Sequence, residues 1–131
     1  MKPQMNADER GLGELTERII GCAFTVSNSL GCGFLEKVYE NALAHELRKA
    51  GLQVEQQARL SVCYDGVVVG EYVADMLLND QLLIEVKAAK SLDDIHLAQC
   101  MNYLKTSGLK LCLLINFGVP KVAIRRVVNN L

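Results

Sequence analysis

Two carboxylates and one amine stand in segments of the chain that are otherwise almost purely apolar. Asp75 is followed by Met-Leu-Leu, and Glu85-Val-Lys87 follows the run Leu-Leu-Ile. Burying such charges costs free energy unless each has a partner, and a bound cation would supply one. This cost is the first reason to expect a metal site in this chain.

The spacing of these residues predicts that they meet if both segments are β-strands. Glu85 and Lys87 are two residues apart, so on a strand their side chains leave the same face. Asp75 lies on the preceding predicted strand, and a slip of one residue in the hairpin would reverse its face. A three-residue loop over 79–81 sets Asp75 opposite Glu85, whereas a two-residue loop separates the carboxylates. We expect the three-residue loop or an equivalent bulge.

Adjacent carboxylates of Asp75 and Glu85 can share a hard divalent cation, Mg²⁺ or Mn²⁺, which prefers oxygen ligands and keeps positions open for water and phosphate. Lys87 can orient or help deprotonate an attacking water, or stabilise the charge that builds on a phosphate. The combination suits phosphodiester hydrolysis. Two alternatives stay open: an exposed aspartate beside an ordinary Glu–Lys pair, or a scaffold in which Lys87 bridges both carboxylates without metal.

Two helices are predicted ahead of these strands. Apolar residues recur at three- and four-residue steps over residues 13–30, and again over 34–50. The inward residues expected on the first helix are Leu15, Ile19, Cys22, Ala23, Val26 and Leu30; those on the second are Leu35, Val38, Tyr39, Ala42 and Leu43. Gly51 is expected to form the left-handed cap of the second helix.

The rest of the chain reads as strands around one further helix. Strands are predicted over 54–64, 67–78, 82–87, 109–117 and 122–128, and a helix over 94–106, capped by Ser91 or Asp93 and ended by Gly108. Leu111–Ile115 is continuously apolar, as expected of a central strand covered on both faces. The order ααβββαββ predicts an α/β fold with a mixed sheet flanked by helices.

Composition bounds the class of protein. With 131 residues, of which 50% are hydrophobic and 22% charged, we expect a flexible arm over 1–12 and one domain over 13–131. The chain has neither an apolar run long enough for a bilayer nor a signal-peptide pattern, which predicts a cytoplasmic protein. The five cysteines are odd in number and lack a Cys-x-x-Cys pair, so most are expected to be core residues.

Charge is unevenly distributed along the chain. The net charge is −1, but residues 105–131 hold five basic side chains and no acidic one. These are Lys105, Lys110, Lys121, Arg125 and Arg126. They either form a basic face or are solvated charges that do not converge, and the sequence favours neither. Because the whole chain is slightly acidic, we expect a homodimer or a partner protein to help hold a nucleic-acid duplex.

A short motif makes the chain recognisable. Gly33, Glu36 and Tyr39 stand at the spacing Gly-x-x-Glu-x-x-Tyr. The segment resembles the GxxExxY protein family, which is similar to a compact branch of the PD-(D/E)XK nuclease superfamily, and the resemblance covers residues 15–129. It implies a restriction-endonuclease-like core and, as substrate, DNA. The site residues that it implies are Glu36, Asp75, Glu85 and Lys87.

A second segment of the chain resembles the Gln-x-x-x-Tyr motif of the RecB-like members of that superfamily. Gln99 and Tyr103 stand at this spacing, with His96 three residues before the glutamine on the same helical face. The resemblance implies that the glutamine and tyrosine position DNA or the site. The alternatives are a solvated polar pair and a structural histidine.

Further alternatives and departures accompany these motifs. Glu36 can merely complement the dipole of its helix, and Tyr39 is more often a core residue than a ligand contact. Relatives often carry proline at the position of Ala74, histidine at that of Ser27 and proline at that of Cys32. If the histidine served the site, Ser27 would put activity in doubt.

The sequence therefore predicts a Mg²⁺- or Mn²⁺-dependent nuclease. In this interpretation Asp75, Glu85 and Glu36 are metal ligands, Lys87 is catalytic with help from Glu36 and Gln99, and Tyr103, His96 and Tyr39 support the site or nucleic-acid binding. The alternative is a catalytically silent, nuclease-derived module that binds nucleic acid or regulates a partner.

Overall fold

A computed structural model describes the backbone of residues 7–129, and side chains from residue 11 onward. Eight elements follow in the order ααβββαββ, which confirms the predicted α/β fold. They are α1 (Ala7–Leu30), α2 (Glu36–Lys49), β1 (Val54–Tyr64), β2 (Val67–Leu78), β3 (Leu82–Lys87), α3 (Asp94–Ser107), β4 (Leu111–Asn116) and β5 (Ala123–Val128).

The strands form one mixed sheet in the spatial order β1-β2-β3-β4-β5. β3 and β4 are parallel and joined through α3, whereas the other neighbours are antiparallel. Helices α1 and α2 cover one face of the sheet and α3 covers the other. Every residue of β4 is buried, as its continuous apolar run predicted.

Helix α1 begins at Ala7, within the segment predicted as an arm. The prediction started the helix at residue 13 because the apolar stripe was counted from Leu15. Leu12 packs against the core three residues earlier and extends the stripe toward the N-terminus. Residues 1–6 of the predicted arm lie outside the described residues.

The inward face of α2 differs from the prediction. Leu35 precedes the helix and is 78% exposed, and Val38 is 39% exposed, so their expected burial is wrong. The buried stripe instead repeats at four-residue steps through Tyr39, Leu43 and Leu47. Ala42 is only partly buried against the core. Gly51 has φ 86°, as expected of a left-handed cap.

The loop between β2 and β3 has the predicted register. Leu78 pairs with Leu82 and Met76 with Ile84, so that residue 75 lies opposite residue 85. Asn79 and Asp80 both have positive φ, a conformation in which Asn and Asp are several-fold enriched. Two carboxylates ten residues apart in the sequence thereby lie at the same level of the sheet.

Partway along the β1–β2 hairpin, the set of alternate residues that faced one side of the sheet changes to the other side. Alternate residues of a strand share a face, yet Met76 packs beneath α1 and α2 while Ala74 packs beneath α3. The intervening residue is Asp75. On β1 the corresponding residue is Gln57, which has φ 57° and is flanked by pairs of Gln56 with Met76 and residue 58 with Ala74. We call this point the turnover.

Beyond the turnover the hairpin extends as a two-stranded ribbon. Its inner face continues over α3, where the ring of Tyr72 lies 5.4 Å from that of Tyr103. Its tip is exposed and apolar, with Tyr64, Val67, Val68 and Val69 each at least 60% exposed.

The cysteines are all free thiols. Cys100 and Cys112 are buried, Cys22 is partly buried, and Cys32 and Cys63 are exposed. Three of the five thus lie in the core or pack against it, as expected of most of them, and the two exposed positions are the exceptions. Cys32 lies in the turn before α2 and Cys63 lies in the exposed ribbon of the hairpin.

The basic residues near the C-terminus do not all share a face. Arg125 pairs with Leu114 and Arg126 with Leu113, and these two leucines belong to the cores on opposite faces of the sheet. The two exposed arginines therefore point in opposite directions from the edge strand β5.

In the part of the chain that the structure describes, helices are too short or too polar to cross a membrane.

Candidate active site

Two reciprocal hydrogen bonds tie the carboxylate of Asp75 to β3 and that of Glu85 to β2. The backbone N–H of Asp75 donates to Glu85 Oε1 at 2.8 Å, and the backbone N–H of Val86 donates to Asp75 Oδ2 at 2.7 Å. The regular pairing of β2 with β3 ends at Met76 and Ile84, one residue before this point. Side-chain oxygens thus replace carbonyl oxygens where the ladder stops, and they hold the two carboxylates side by side.

This pair is electrostatically costly in the metal-free protein. Glu85 is only 3% exposed. Burial, followed by the charge of Asp75, raises the pKa of Glu85 to about 8. Burial also raises the pKa of Asp75, against the opposing effect of the Val86 N–H. Two such groups need a shared proton or a cation between them.

The free oxygen atoms of the pair suit a hard cation. Each carboxylate uses one oxygen on a backbone donor, and its second oxygen accepts no hydrogen bond from the described residues. Within those residues, however, no group of three or more His, Cys, Asp or Glu side chains is close enough to hold a metal ion. The pair therefore fits a divalent ion that takes its remaining ligands from backbone, water or substrate.

Lys87 ends β3 and is half-buried. Among the described residues it forms no salt bridge with Asp75 or Glu85. The alternative in which Lys87 bridges the carboxylates without metal is therefore wrong. The carbonyl of Lys87 accepts a 2.8 Å hydrogen bond from the N–H of Phe117, which fixes the end of β3 against the end of β4.

Glu36 is the first residue of α2, and its side chain reaches the end of β3. Its Oε2 accepts from the N–H of Ala88 at 3.2 Å. The exposed Glu36 carboxylate thus lies beside the residue that follows Lys87, while it also complements the helix dipole. The structure brings Glu36 to the edge of the carboxylate pair, not into contact with it.

Tyr39 is a core residue. It is fully buried, and its ring stacks on Phe117 with the centroids 4.9 Å apart. Its hydroxyl donates to the carbonyl of Gly31 and accepts from the N–H of Phe34. Of the two predicted roles, support of the site or contact with nucleic acid, this burial favours support of the site. Its hydrogen bonds hold the turn from which Glu36 begins the helix.

Gln99 and Tyr103 form a pair on α3. Gln99 Nε2 donates to the Tyr103 hydroxyl at 2.9 Å, and Tyr103 is 4% exposed. Burial and then the charges of Glu85 and Asp75 raise the pKa of Tyr103, which places its hydroxyl in the field of the carboxylates. The alternative of an ordinary solvated pair does not fit this burial.

His96 caps its own helix. Its Nδ1 accepts from the N–H of Asp93 at 3.3 Å, while Asp93 Oδ1 accepts from the N–H groups of Ile95 and His96. This reciprocal arrangement is a capping box with histidine in the place usually taken by Glu or Gln. It supports the structural interpretation of His96, and of the two predicted caps it selects Asp93.

A buried glutamate near the site was missed. Glu40 is 3% exposed and accepts from the side chains of Lys37, Gln56 and Gln57 at 3.1, 2.6 and 3.0 Å. Its charge raises the pKa of both Asp75 and Glu85. The signal was available, because Glu40 stands three and seven residues before the buried Leu43 and Leu47 on the inward stripe.

A second missed group shapes the segment after Lys87. Asn116, 1% exposed, exchanges hydrogen bonds with the backbone N–H and carbonyl of Ala89 at 3.0 and 2.9 Å. Gly118 passes so close that a Cβ atom there would lie 2.4 Å from the backbone of Ala89. The end of β4 thus fixes the segment that Glu36 contacts.

A comparison with protein families identifies the family of the chain. The family model described as the PD-(D/E)XK nuclease superfamily matches residues 13–127, most of the chain. The chain belongs to the PD-(D/E)XK nuclease superfamily. Members of the superfamily generally use divalent metal ions, and among the described residues the Asp75–Glu85 pair offers oxygen atoms of the kind that such ions prefer.

Solved structures share the fold of this PD-(D/E)XK chain at low identity. An alkaline exonuclease (LHK-Exo) from Laribacter hongkongensis matches with a TM-score of 0.54 and 14% identity, over 72% of this chain and 56% of that one. The structure of SSO0001 matches with a TM-score of 0.57 and 19% identity, over 95% of this chain and 62% of that one. The chain thus spans less than two thirds of either neighbour. No curated protein matches it.

Proposed function

We propose that the protein is a Mg²⁺-dependent nuclease that hydrolyses phosphodiester bonds of DNA, with Mn²⁺ as an alternative ion. One observation carries this proposal. Asp75 and Glu85 are locked side by side, each with one oxygen that accepts no hydrogen bond from the described residues, and burial and mutual repulsion disfavour their charges unless a cation is bound.

The residues around the pair take distinct roles in this proposal. Asp75 and Glu85 hold the ion, and Glu36 contributes directly or through a water. A bound Mg²⁺ supplies a Lewis acid that polarises the phosphate and lowers the pKa of a water. Lys87, which forms no salt bridge among the described residues, orients that water or stabilises the charge that develops on the phosphate.

The helix α3 supports the same edge of the sheet. The Gln99–Tyr103 hydrogen bond sets a buried hydroxyl in the field of Glu85 and Asp75, where it can position these carboxylates or the DNA backbone. This pair supports placing the chain in the RecB-like branch, and the motif of Gly33, Glu36 and Tyr39 supports the GxxExxY family within the superfamily.

Nuclease activity is inferred from superfamily membership and from the exonuclease among the structural neighbours, and DNA as the substrate is inferred from the family resemblance of the motifs. With a net charge of −1 and two arginines on opposite faces of β5, the chain offers little charge to hold a duplex by itself. We therefore propose that a second copy or a partner protein completes the DNA-binding surface.

A second candidate function is a silent, nuclease-derived module that binds nucleic acid or regulates a partner. The absence of a third acidic or histidine ligand close to the pair, among the described residues, favours it. The same absence is compatible with catalysis if backbone and water complete the ligand set.

Cleavage and metal binding separate the two candidates. Purified protein is incubated with linear, single-stranded and branched DNA in Mg²⁺, in Mn²⁺ and in chelator, with Asp75→Asn as the inactive control. The nuclease predicts cutting that needs the ion and is lost in the variant. The silent module predicts no cutting, while calorimetric titration with Mn²⁺ shows whether it retains the ion.

A further inference from the structure

Gln57 has a left-handed backbone conformation, which is unusual for a residue inside a β-strand. It lies inside β1, where φ is normally strongly negative, but its φ is 57°. Side chains other than glycine rarely adopt this left-handed region, and observed outliers of this kind concentrate at functional sites. The neighbouring residues Gln56 and Ala58 pair normally with β2.

A buried carboxylate accepts hydrogen bonds from Gln57 and from the residue before it. Glu40 Oε1 accepts from Gln57 Nε2 at 3.0 Å, and Glu40 Oε2 accepts from Gln56 Nε2 at 2.6 Å. Consecutive residues of a regular strand point to opposite faces, so two neighbouring side chains would not reach one carboxylate. The left-handed turn at Gln57 is what lets both amides do so.

The turnover of the hairpin occurs at the same level of the sheet. Gln57 faces Asp75 between the pairs of Gln56 with Met76 and Ala58 with Ala74. Asp75 is the residue across which the inner face of β2 changes from the α2 side to the α3 side. The orientation of Asp75 therefore depends on the backbone of β1 opposite it.

We propose that Glu40 is a positioning residue, whose carboxylate holds Gln57 in the left-handed conformation, fixes the turnover and thereby sets Asp75 beside Glu85. Both oxygens of Glu40 already accept from protein donors, with Lys37 Nζ as a further donor at 3.1 Å. Glu40 thus acts on the site through Gln57 and Asp75 and not as a ligand. The metal-binding part of this inference rests on the proposed function.

The experiment compares Glu40→Ala with the double variant Glu40→Ala/Gln57→Gly. Glycine adopts positive φ without a side chain to anchor it, so the double variant keeps the turnover when the anchor is gone. Mn²⁺ affinity is measured by calorimetry, and φ at residue 57 by NMR couplings and chemical shifts. Glu46→Ala is the matched control, because Glu46 is another α2 glutamate in an i,i+3 pair with a lysine, Lys49.

We expect Glu40→Ala to bind Mn²⁺ about tenfold more weakly, as is usual for loss of a residue that supports metal ligands. Its φ at residue 57 should move out of the left-handed region. The double variant should keep a positive φ and recover most of the lost affinity, and Glu46→Ala should match the unmodified protein. A double variant as weak as Glu40→Ala would overturn the proposal, since Glu40 would then act as a ligand or through its charge.

Two further results keep the test decisive. If Glu40→Ala does not fold, Glu40→Gln replaces it, because the glutamine side chain keeps one acceptor oxygen for Gln57. A positive φ at residue 57 with a small loss of Mn²⁺ affinity then supports the proposal. A large loss of Mn²⁺ affinity at positive φ overturns it. If the unmodified protein gives no Mn²⁺ heat, the proposed function fails. The φ of residue 57 and the Asp75 N–H hydrogen bond in the Glu40 variants then decide the positioning role by themselves.

Discussion

The backbone N–H of Asp75 and the side chain of Glu85 share a 2.8 Å hydrogen bond, so each acidic residue of the pair is held by the strand that carries the other. A carboxylate held in this way cannot turn toward solvent without leaving a backbone donor unsatisfied. The arrangement fixes two carboxyl groups close together, although burial and their mutual repulsion disfavour the ionisation of both.

Glu85→Gln should stabilise the metal-free protein at high pH. Because the pKa of Glu85 is raised from 4.5 to about 8 in the folded state, its contribution to stability is fully present below pH 4.5 and is lost as the pH rises through 8. Glutamine removes this loss, so at pH 9 the variant should gain at least about 1 kcal/mol in the free energy of unfolding. Urea denaturation in chelator from pH 5 to 9 measures this gain.

The exposed Glu55→Gln on β1 is the matched control, and it should leave the pH dependence unchanged. Parallel stability curves for the unmodified protein and Glu85→Gln would show that the carboxylate is not destabilised in the folded state. Glu85→Gln should also lose Mn²⁺ binding, so greater stability and lost binding are expected in one variant.

Lys87→Ala should abolish most DNA cleavage without unfolding the protein. Lys87 is half-buried at the end of β3 and forms no salt bridge with the described residues, so its loss breaks no ion pair among them. We expect kcat to fall by about 10²-fold or more, as when one charge-stabilising group is removed. Single-turnover cleavage measures this fall, and exposed Lys90→Ala should retain full activity. Equal activity in both variants would exclude Lys87 from the chemistry.

Gly118→Ala should disturb the segment that follows Lys87. Its Cβ would lie 2.4 Å from the backbone N and O atoms of Ala89, a contact that only a backbone shift can relieve. We expect a loss of about 1–3 kcal/mol in the free energy of unfolding, typical of overpacking, together with reduced cleavage. Thermal denaturation measures the loss. Gly70→Ala, which meets nothing within 4 Å, should be nearly neutral, and equal melting temperatures would contradict the close approach.

Tyr39→Phe tests the turn that precedes Glu36. Removal of the hydroxyl leaves the carbonyl of Gly31 and the N–H of Phe34 without their partner, which should cost about 1–2 kcal/mol. Cleavage should fall less than in Lys87→Ala, because the ring still stacks on Phe117. The exposed Tyr64→Phe should change neither stability nor activity. Unchanged stability in Tyr39→Phe would show that the turn is held by other contacts.

Patterns with a strict period predicted most of the fold. The bounds of β1, β2 and β3 agree with prediction, because Asp65-Gly66 and Asn79-Asp80 favour turns and the intervening runs favour strands. The predicted strand bounds left three residues, 79–81, for the second turn, and the structure confirms this register. That register sets Asp75 opposite Glu85, although the sequence alone also allowed a two-residue loop that would have separated the two carboxylates.

What the sequence did not predict depends on contacts between distant elements. Glu40 was passed over because a glutamate on a helix is ordinarily solvated, and its burial becomes favourable through Lys37 on its own helix together with the amides of Gln56 and Gln57 on a distant strand. The left-handed conformation of Gln57 has no local signal, since glutamine has no preference for positive φ. The hydrogen-bond partners of His96 and Tyr39 lie within eight residues of them in the sequence. The role of each residue nevertheless depends on the geometry of the helix cap and of the turn, which the sequence does not show.

The strands are unequal in length, so part of the β1–β2 hairpin extends beyond its neighbours in the sheet. β1 and β2 run for 11 and 12 residues, whereas β3, β4 and β5 have six each, so the far half of the hairpin has hydrogen bonds on one side only. Amide protons there should exchange with deuterium well before those of the inner strands. A fluorophore attached at position 68, directly or through a lysine that replaces Val68, would report on binding of DNA or of a second copy from a position remote from the carboxylates.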